Sequence, residues 1–177
     1  MAKEVGDMEF VTCDKLTQYD EFREDEVTQI LERLLVDRGC TIIYESNRQG
    51  PDVIAYCGGS LLIIEARGVP TKFKVKGKDR GKPKSKNTIR GQFWGWPAEV
   101  TTELMEREYE WHMESADWVK EVLSKISQKI SAKYIAVLGY HKEYIDVLEK
   151  RKQALERLGY EIWLIDKEGK ICKYLTT

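Results

Sequence analysis

No apolar run in the sequence approaches the ~20 residues that a bilayer span requires. The first ten residues, MAKEVGDMEF, lack the charged-then-apolar layout of a secretory signal. A soluble, cytoplasmic protein with no membrane partner is therefore expected. Cysteine is sparse: Cys13, Cys40, Cys57 and Cys172 are scattered, and none belongs to a C-x-x-C pair. A zinc ribbon is thereby set aside, no disulfide framework is indicated, and Cys40 and Cys57, in apolar strand contexts, read as buried thiols. The two histidines, His112 and His141, have no neighbouring cysteine or histidine and read as surface residues. No glycine-rich phosphate loop is present, which removes support for an NTPase. Internal repeats and interdomain linkers are absent as well.

What is there suits one globular domain over residues 1–177: 42% apolar residues and 33% charged, in a chain long enough to bury a core. The net charge of −1 hides an uneven distribution. A basic loop or ribbon at 69–91 carries Lys72, Lys74, Lys76, Lys78, Arg80, Lys82, Lys84, Lys86 and Arg90 against a lone Asp79. A helical segment at 98–121 is the reverse, led by Glu99, Glu103, Glu106, Glu108, Glu110, Glu114, Asp117 and Glu121. Either the two compensate each other, within the fold or between subunits of a homodimer, or the arm meets a polyanion.

Periodicity predicts an amphipathic helix over 21–38, with Val27, Ile30, Leu31, Leu34 and Leu35 on one stripe, Asp20 as N-cap without a capping box, and Gly39 as C-cap. A strand over 40–45 and a polar turn, SNRQG, follow. Helices are expected near 98–112 and 116–131, a strand at 134–138, a helix over 142–158 closed by Gly159, and strands at 160–165 and 171–175. Residues 133–165 form a strand–helix–strand unit, for which a right-handed crossover is expected if its strands are parallel. The order suggests a mixed sheet with helices on both faces.

The stretch PDVIAYCGGSLLIIEARG poses a sharper question. Gly58-Gly59 between two apolar runs signals a tight hairpin. With the glycines as the turn, paired residue numbers sum to 117, so Asp52 faces Glu65. Alternation puts Asp52, Ile54, Tyr56, Leu61, Ile63, Glu65 and Arg67 on one face, and Val53, Ala55, Leu62, Ile64 and Ala66 on the other. Directly opposed carboxylates destabilise a pair unless neutralised. A divalent cation such as Mg²⁺ with oxygen ligands does this, and so would solvation at a hairpin end.

An acid-bearing helix, a strand, Pro51-Asp52, a strand and then Glu65-Ala66-Arg67 resemble the PD-(D/E)xK nuclease superfamily. Over about residues 21–68 the layout is similar to the archaeal Holliday-junction resolvases. The resemblance implies an α/β, restriction-endonuclease-like mixed β-sheet flanked by helices on both faces. It implies a Mg²⁺- or Mn²⁺-dependent DNA endonuclease or exonuclease. Asp52, Glu65 and Arg67 would be catalytic, and Asp52, Glu65, the Ala66 carbonyl and a helix acid would hold metal. Glu24 lies about 50° from the centre of the apolar stripe and Glu26 about 110°, which favours Glu24. Acids in a first helical turn also simply complement the helix dipole. The third motif position departs from the usual lysine. Arginine keeps its proton, so Arg67 would bind phosphate, with water activation left to the metal or to Lys72 or Lys74.

The arm would track a DNA backbone. Gln92, Phe93, Trp94 and Trp96 in IRGQFWGWP follow it, the aromatics stacking on splayed bases beside the arm in the functional reading, and Gln92 and Trp96 have a spacing seen in some superfamily nucleases. Gly95 and Pro97 argue against a clean helix there, and core packing explains the aromatics equally well. Two other readings stand beside the nuclease: a catalytically inactive nuclease-fold DNA-binding or assembly subunit, and a structural domain whose acidic helix contacts a basic partner.

Overall fold

The computed structural model describes residues 9–45, 49–74 and 76–176. Its centre is a six-stranded mixed open sheet in chain order, β1 (Thr41–Glu45), β2 (Val53–Cys57), β3 (Ser60–Arg67), β4 (Ala132–Gly139), β5 (Glu161–Ile165) and β6 (Ile171–Leu175). The β1–β2, β2–β3 and β5–β6 pairs are antiparallel, while β3–β4 and β4–β5 are parallel. Among the described residues four α-helices accompany it: α1 (Glu24–Asp37), α2 (Lys86–Met113), α3 (Asp117–Lys125) and α4 (Lys142–Leu158). None is long and apolar enough to cross a membrane. Most of the expected SNRQG turn lies outside the described residues.

The hairpin forms in the expected register, from Cys57 opposite Ser60 to Val53 opposite Ile64. Gly58 and Gly59 both take positive φ, the conformation such a tight turn requires. Alternation then divides the core. Val53, Ala55, Leu62, Ile64 and Ala66 pack in one cluster with Val27, Leu31 and Leu35 of α1. Ile54, Leu61 and Ile63 pack in another with Trp111 of α2 and Trp118, Val119 and Val122 of α3. Buried on both faces, β2 and β3 read as near-continuous apolar runs, as central strands do.

Three expectations are corrected. Helix α1 starts at Glu24, and its N-cap is Arg23, whose backbone N–H donates to Glu26 Oε2 at 2.8 Å. Phe22, read as helical, is instead fully buried in a bridge to Val69. The second correction is α2, a 28-residue helix that runs through Gly91, Gly95 and Pro97 rather than starting at Ala98. Ser85 caps it, accepting from Thr88 N at 3.1 Å. A buried stripe of Phe93, Pro97, Val100, Thr101 and Leu104 holds it against the core, so burial outweighs poor intrinsic propensity. Helix α3 correspondingly stops at Lys125.

The third correction concerns cysteine. Cys40 and Cys57 are disulfide-bonded, and so are Cys13 and Cys172. The β1–β2 register pairs Thr41 with Tyr56, which sets Cys40 directly opposite Cys57, Cα atoms 4.6 Å apart. Cys13 sits in a short 3₁₀ turn beside β6, where Val11 N donates to Ile171 O at 2.9 Å. Bonded cysteines remove the compositional argument for a reducing compartment. Reduction should lower the unfolding free energy by about 2–4 kcal/mol per bridge, with the 159-residue loop of Cys13–Cys172 contributing more than the 17-residue loop. Denaturant titrations of wild type, Cys13→Ser/Cys172→Ser and Cys40→Ser/Cys57→Ser, with and without reductant, check this; no response to reductant would refute it.

Candidate functional site

The site forms where the end of β3 meets the first turn of α1. Gly68 permits the approach: a Cβ there would lie 2.2 Å from Phe22 O and 2.7 Å from Glu24 N. Val69 N donates to Phe22 O at 2.6 Å, and Tyr144 Oη of α4 donates to Gly68 O at 2.7 Å. The strand end, α1 and α4 are thus pinned at one point, with Glu24 beside Arg67. Asp52 precedes β2 and accepts from Ala66 N at 2.7 Å.

Arg67, largely buried, is the hub. Its Nη2 donates to both Glu103 carboxylate oxygens at 2.6 and 2.7 Å. Its Nη1 donates to Ala66 O at 2.7 Å and lies 3.5 Å from Glu24 Oε2 and 3.9 Å from Asp52 Oδ2. The guanidinium therefore stands among the Glu24, Asp52 and Ala66 oxygens. Next to it, Glu65 is only 3% exposed and accepts from Arg107 Nε at 2.7 Å. Arg107 also holds Glu110, which accepts from Trp118 Nε1. Five carboxylates thus share two guanidinium charges. Burial, followed by the Asp52 charge, pushes the Glu65 carboxyl up to about 8, and the opposing pull of Arg107 does not cancel this. Burial likewise raises Glu24.

On the solvent side a cleft of about 730 Å³ opens over Glu24. Lys74, Lys76, Arg80, Lys84, Gln92 and Trp96 line it. The ribbon that carries these lysines is closed by a Phe73–Pro83 bridge and by Lys74 N donating to Lys82 O. Lys84 Nζ donates to Gln92 Oε1 at 3.0 Å and Thr71 Oγ1 at 3.1 Å, and burial lowers its pKa.

Of the residues picked from sequence, Glu24, Asp52, Glu65, Ala66 and Arg67 come together. Glu26 does not, being tied to Arg23 N and Lys167. Lys74, Lys76, Arg80 and Lys84 reach the cleft with Gln92, which α2 presents one turn before Trp96. Trp94 faces elsewhere, with Lys150 and Arg151 over its ring at 4.9 and 5.3 Å. Lys72 pairs with Asp20, and Lys82 with Asp79. Lys78, Lys86 and Arg90 make no ion pair among the described residues. No arm cation pairs with the acidic segment there. Those acids instead hold Arg67, Arg107, Lys129, Lys120 and Lys125. The sequence reading has Glu103 only as one acid of the 98–121 segment and does not single out Arg107. Their signal was an arginine inside an acidic run, four residues from a glutamate and so on the same helix face.

The donor set is entirely oxygen, which suits a hard divalent cation, and its surplus of negative charge favours one. Among the described residues, no three histidine, cysteine, aspartate or glutamate side chains are grouped so as to hold a metal ion. Compared with protein-family models and with curated proteins, the chain finds no match in either.

Two outcomes follow from the geometry. Gly68→Ala should cost about 1–3 kcal/mol through overpacking against α1, measured by chemical denaturation; a neutral substitution would mean that α1 shifts freely. Glu65 binds its proton more tightly folded than unfolded. Its stabilising contribution is therefore full below its ordinary value near 4.5 and is lost as pH rises through about 8. In chelator, the wild-type Tm should fall from pH 5 to pH 9 more steeply than that of Glu65→Gln. Parallel curves would show Glu65 ionised throughout.

Proposed function

We propose that the chain is a divalent-metal-dependent DNA nuclease with a restriction-endonuclease-like fold. The observation that carries this reading is the convergence of the Glu24, Asp52 and Ala66 oxygens on one positive group, with Glu24 also lining a cleft whose walls carry Lys74, Lys76, Arg80 and Lys84 beside Glu21 and Asp25. Glu24, Asp52, Glu65 and the Ala66 carbonyl would hold Mg²⁺ or Mn²⁺. When bound, the metal polarises the scissile phosphate and lowers the pKa of a coordinated water.

The protein's own groups do the rest. The ribbon lysines draw in the phosphate backbone by releasing its counterions. Arg67, once rotated off the Ala66 carbonyl, stays anchored by Glu103 and presents a fixed positive charge to phosphate. Asp52 fixes the end of β3 through the Ala66 N–H. Of the two lysines offered for water activation, Lys74 lines the same cleft as Glu24 and Lys72 does not; Lys84 lines it as well.

A second reading is a nuclease-fold DNA-binding protein without cleavage, favoured by the guanidinium standing among the acids. Cleavage assays across duplex, junction, flap and single-stranded DNA, in Mn²⁺ and in chelator, separate the two. Asp52→Asn retains the acceptor for Ala66 N but not the charge, so the rate should drop at least ~10²-fold, the scale of one lost preorganised electrostatic contact. Affinity for DNA in chelator should persist. Wild type that binds DNA yet cleaves none of these substrates would sink the nuclease reading.

A further inference from the structure

Beside the acidic site, on the other flank of the Val69–Thr71 segment, lies a second recess of about 380 Å³. Its walls are Val69, Pro70, Ile89, Phe93 and the His141 ring, and its rim carries Lys72, Lys86 and Arg90 with Asp20 and Glu143. The two recesses share Val69, so one bound chain could occupy both. Helix α2 is their common wall: Ile89 and Phe93 face this recess, while Gln92 and Trp96 face the cleft.

The rim and floor have different chemistry. Lys86 and Arg90 project from the first turns of α2 and make no ion pair among the described residues, which leaves both charges for an external anion. The floor is apolar and is stiffened by the His141 ring lying 4.6 Å from that of Phe93. His141 Nδ1 accepts from Glu143 N at 3.2 Å, so the ring's other nitrogen is the one free to donate. A continuous duplex offers phosphates but no free base face. A single strand offers both, a flat base with phosphates on either side.

We propose that this recess holds one unpaired nucleobase of a DNA strand whose neighbouring phosphates lie on Lys86 and Arg90. The base stacks on the apolar floor, and the Asp20 and Glu143 carboxylates at the rim accept hydrogen bonds from exocyclic amino groups. The proposal rests on the DNA-binding part of the reading above and narrows the substrate to DNA that contains unpaired nucleotides. It does not depend on cleavage.

The test is binding in chelator by fluorescence anisotropy, with a short cytosine-rich single strand and an abasic strand of equal length and charge. Two variants probe the recess. Ile89→Glu puts a carboxylate into the floor, and His141→Asn removes the ring while keeping a residue able to cap α4. Wild type should prefer the strand with bases about tenfold, within the range for one stacked base. Both variants should lose that preference and still bind the abasic strand, which also shows that they are folded. Equal wild-type affinity for the two strands, or a preference unchanged in both variants, would overturn the base site while leaving DNA binding intact. Failure of wild type to bind either strand at low salt would overturn the DNA-binding reading as well.

Discussion

One guanidinium holds the working end of this protein together. Arg67 leaves the last residue of a central strand and meets a carboxylate from α1, one from the approach to β2 and one from the middle of α2. Two charges brought out of water attract strongly only when geometry and hydrogen bonding are good, and removal of one partner strands the others. The first turn of α1, the approach to β2, the end of β3 and the middle of α2 are thereby held at one point. Glu65, buried deeper beside Arg107, is the group that burial and the neighbouring Asp52 charge drive to keep its proton.

Helix α2 links the two core clusters with the site. Its first half packs with α4 over the core that also holds α1, its Trp111 belongs to the cluster under α3, and between them Glu103 and Arg107 face β3. Its N-terminal turns separate two recesses. A helix so placed couples the position of the acidic site to that of the basic ribbon, since Lys84 is bonded to Gln92 on the same helix.

Local chemistry was legible in the sequence where it was decided locally. Gly58-Gly59 fixed the hairpin register, the register fixed the two faces, and the stripe of α1 placed Glu24 ahead of Glu26. The rest depended on distant partners. Pro97 reads as a helix break until the buried stripe on both sides of it is known. Glu103 and Arg107 look like part of a solvated acidic face until that longer helix lays them on β3. Cys40 and Cys57 become neighbours only through the β1–β2 register, and Cys13 meets Cys172 only once the sheet has brought the ends of the chain together.

That last bond changes the covalent topology of the molecule. With Cys13 joined to Cys172, the segment between them forms a closed ring, and the exposed ribbon at 76–81 lies within it. A single cut in the ribbon would open the ring without releasing a fragment. The strands on each side of the cut would remain tethered through the far end of the chain, and the cleaved species would stay one covalent molecule, heavier by one water, until the sulfur bridge was reduced.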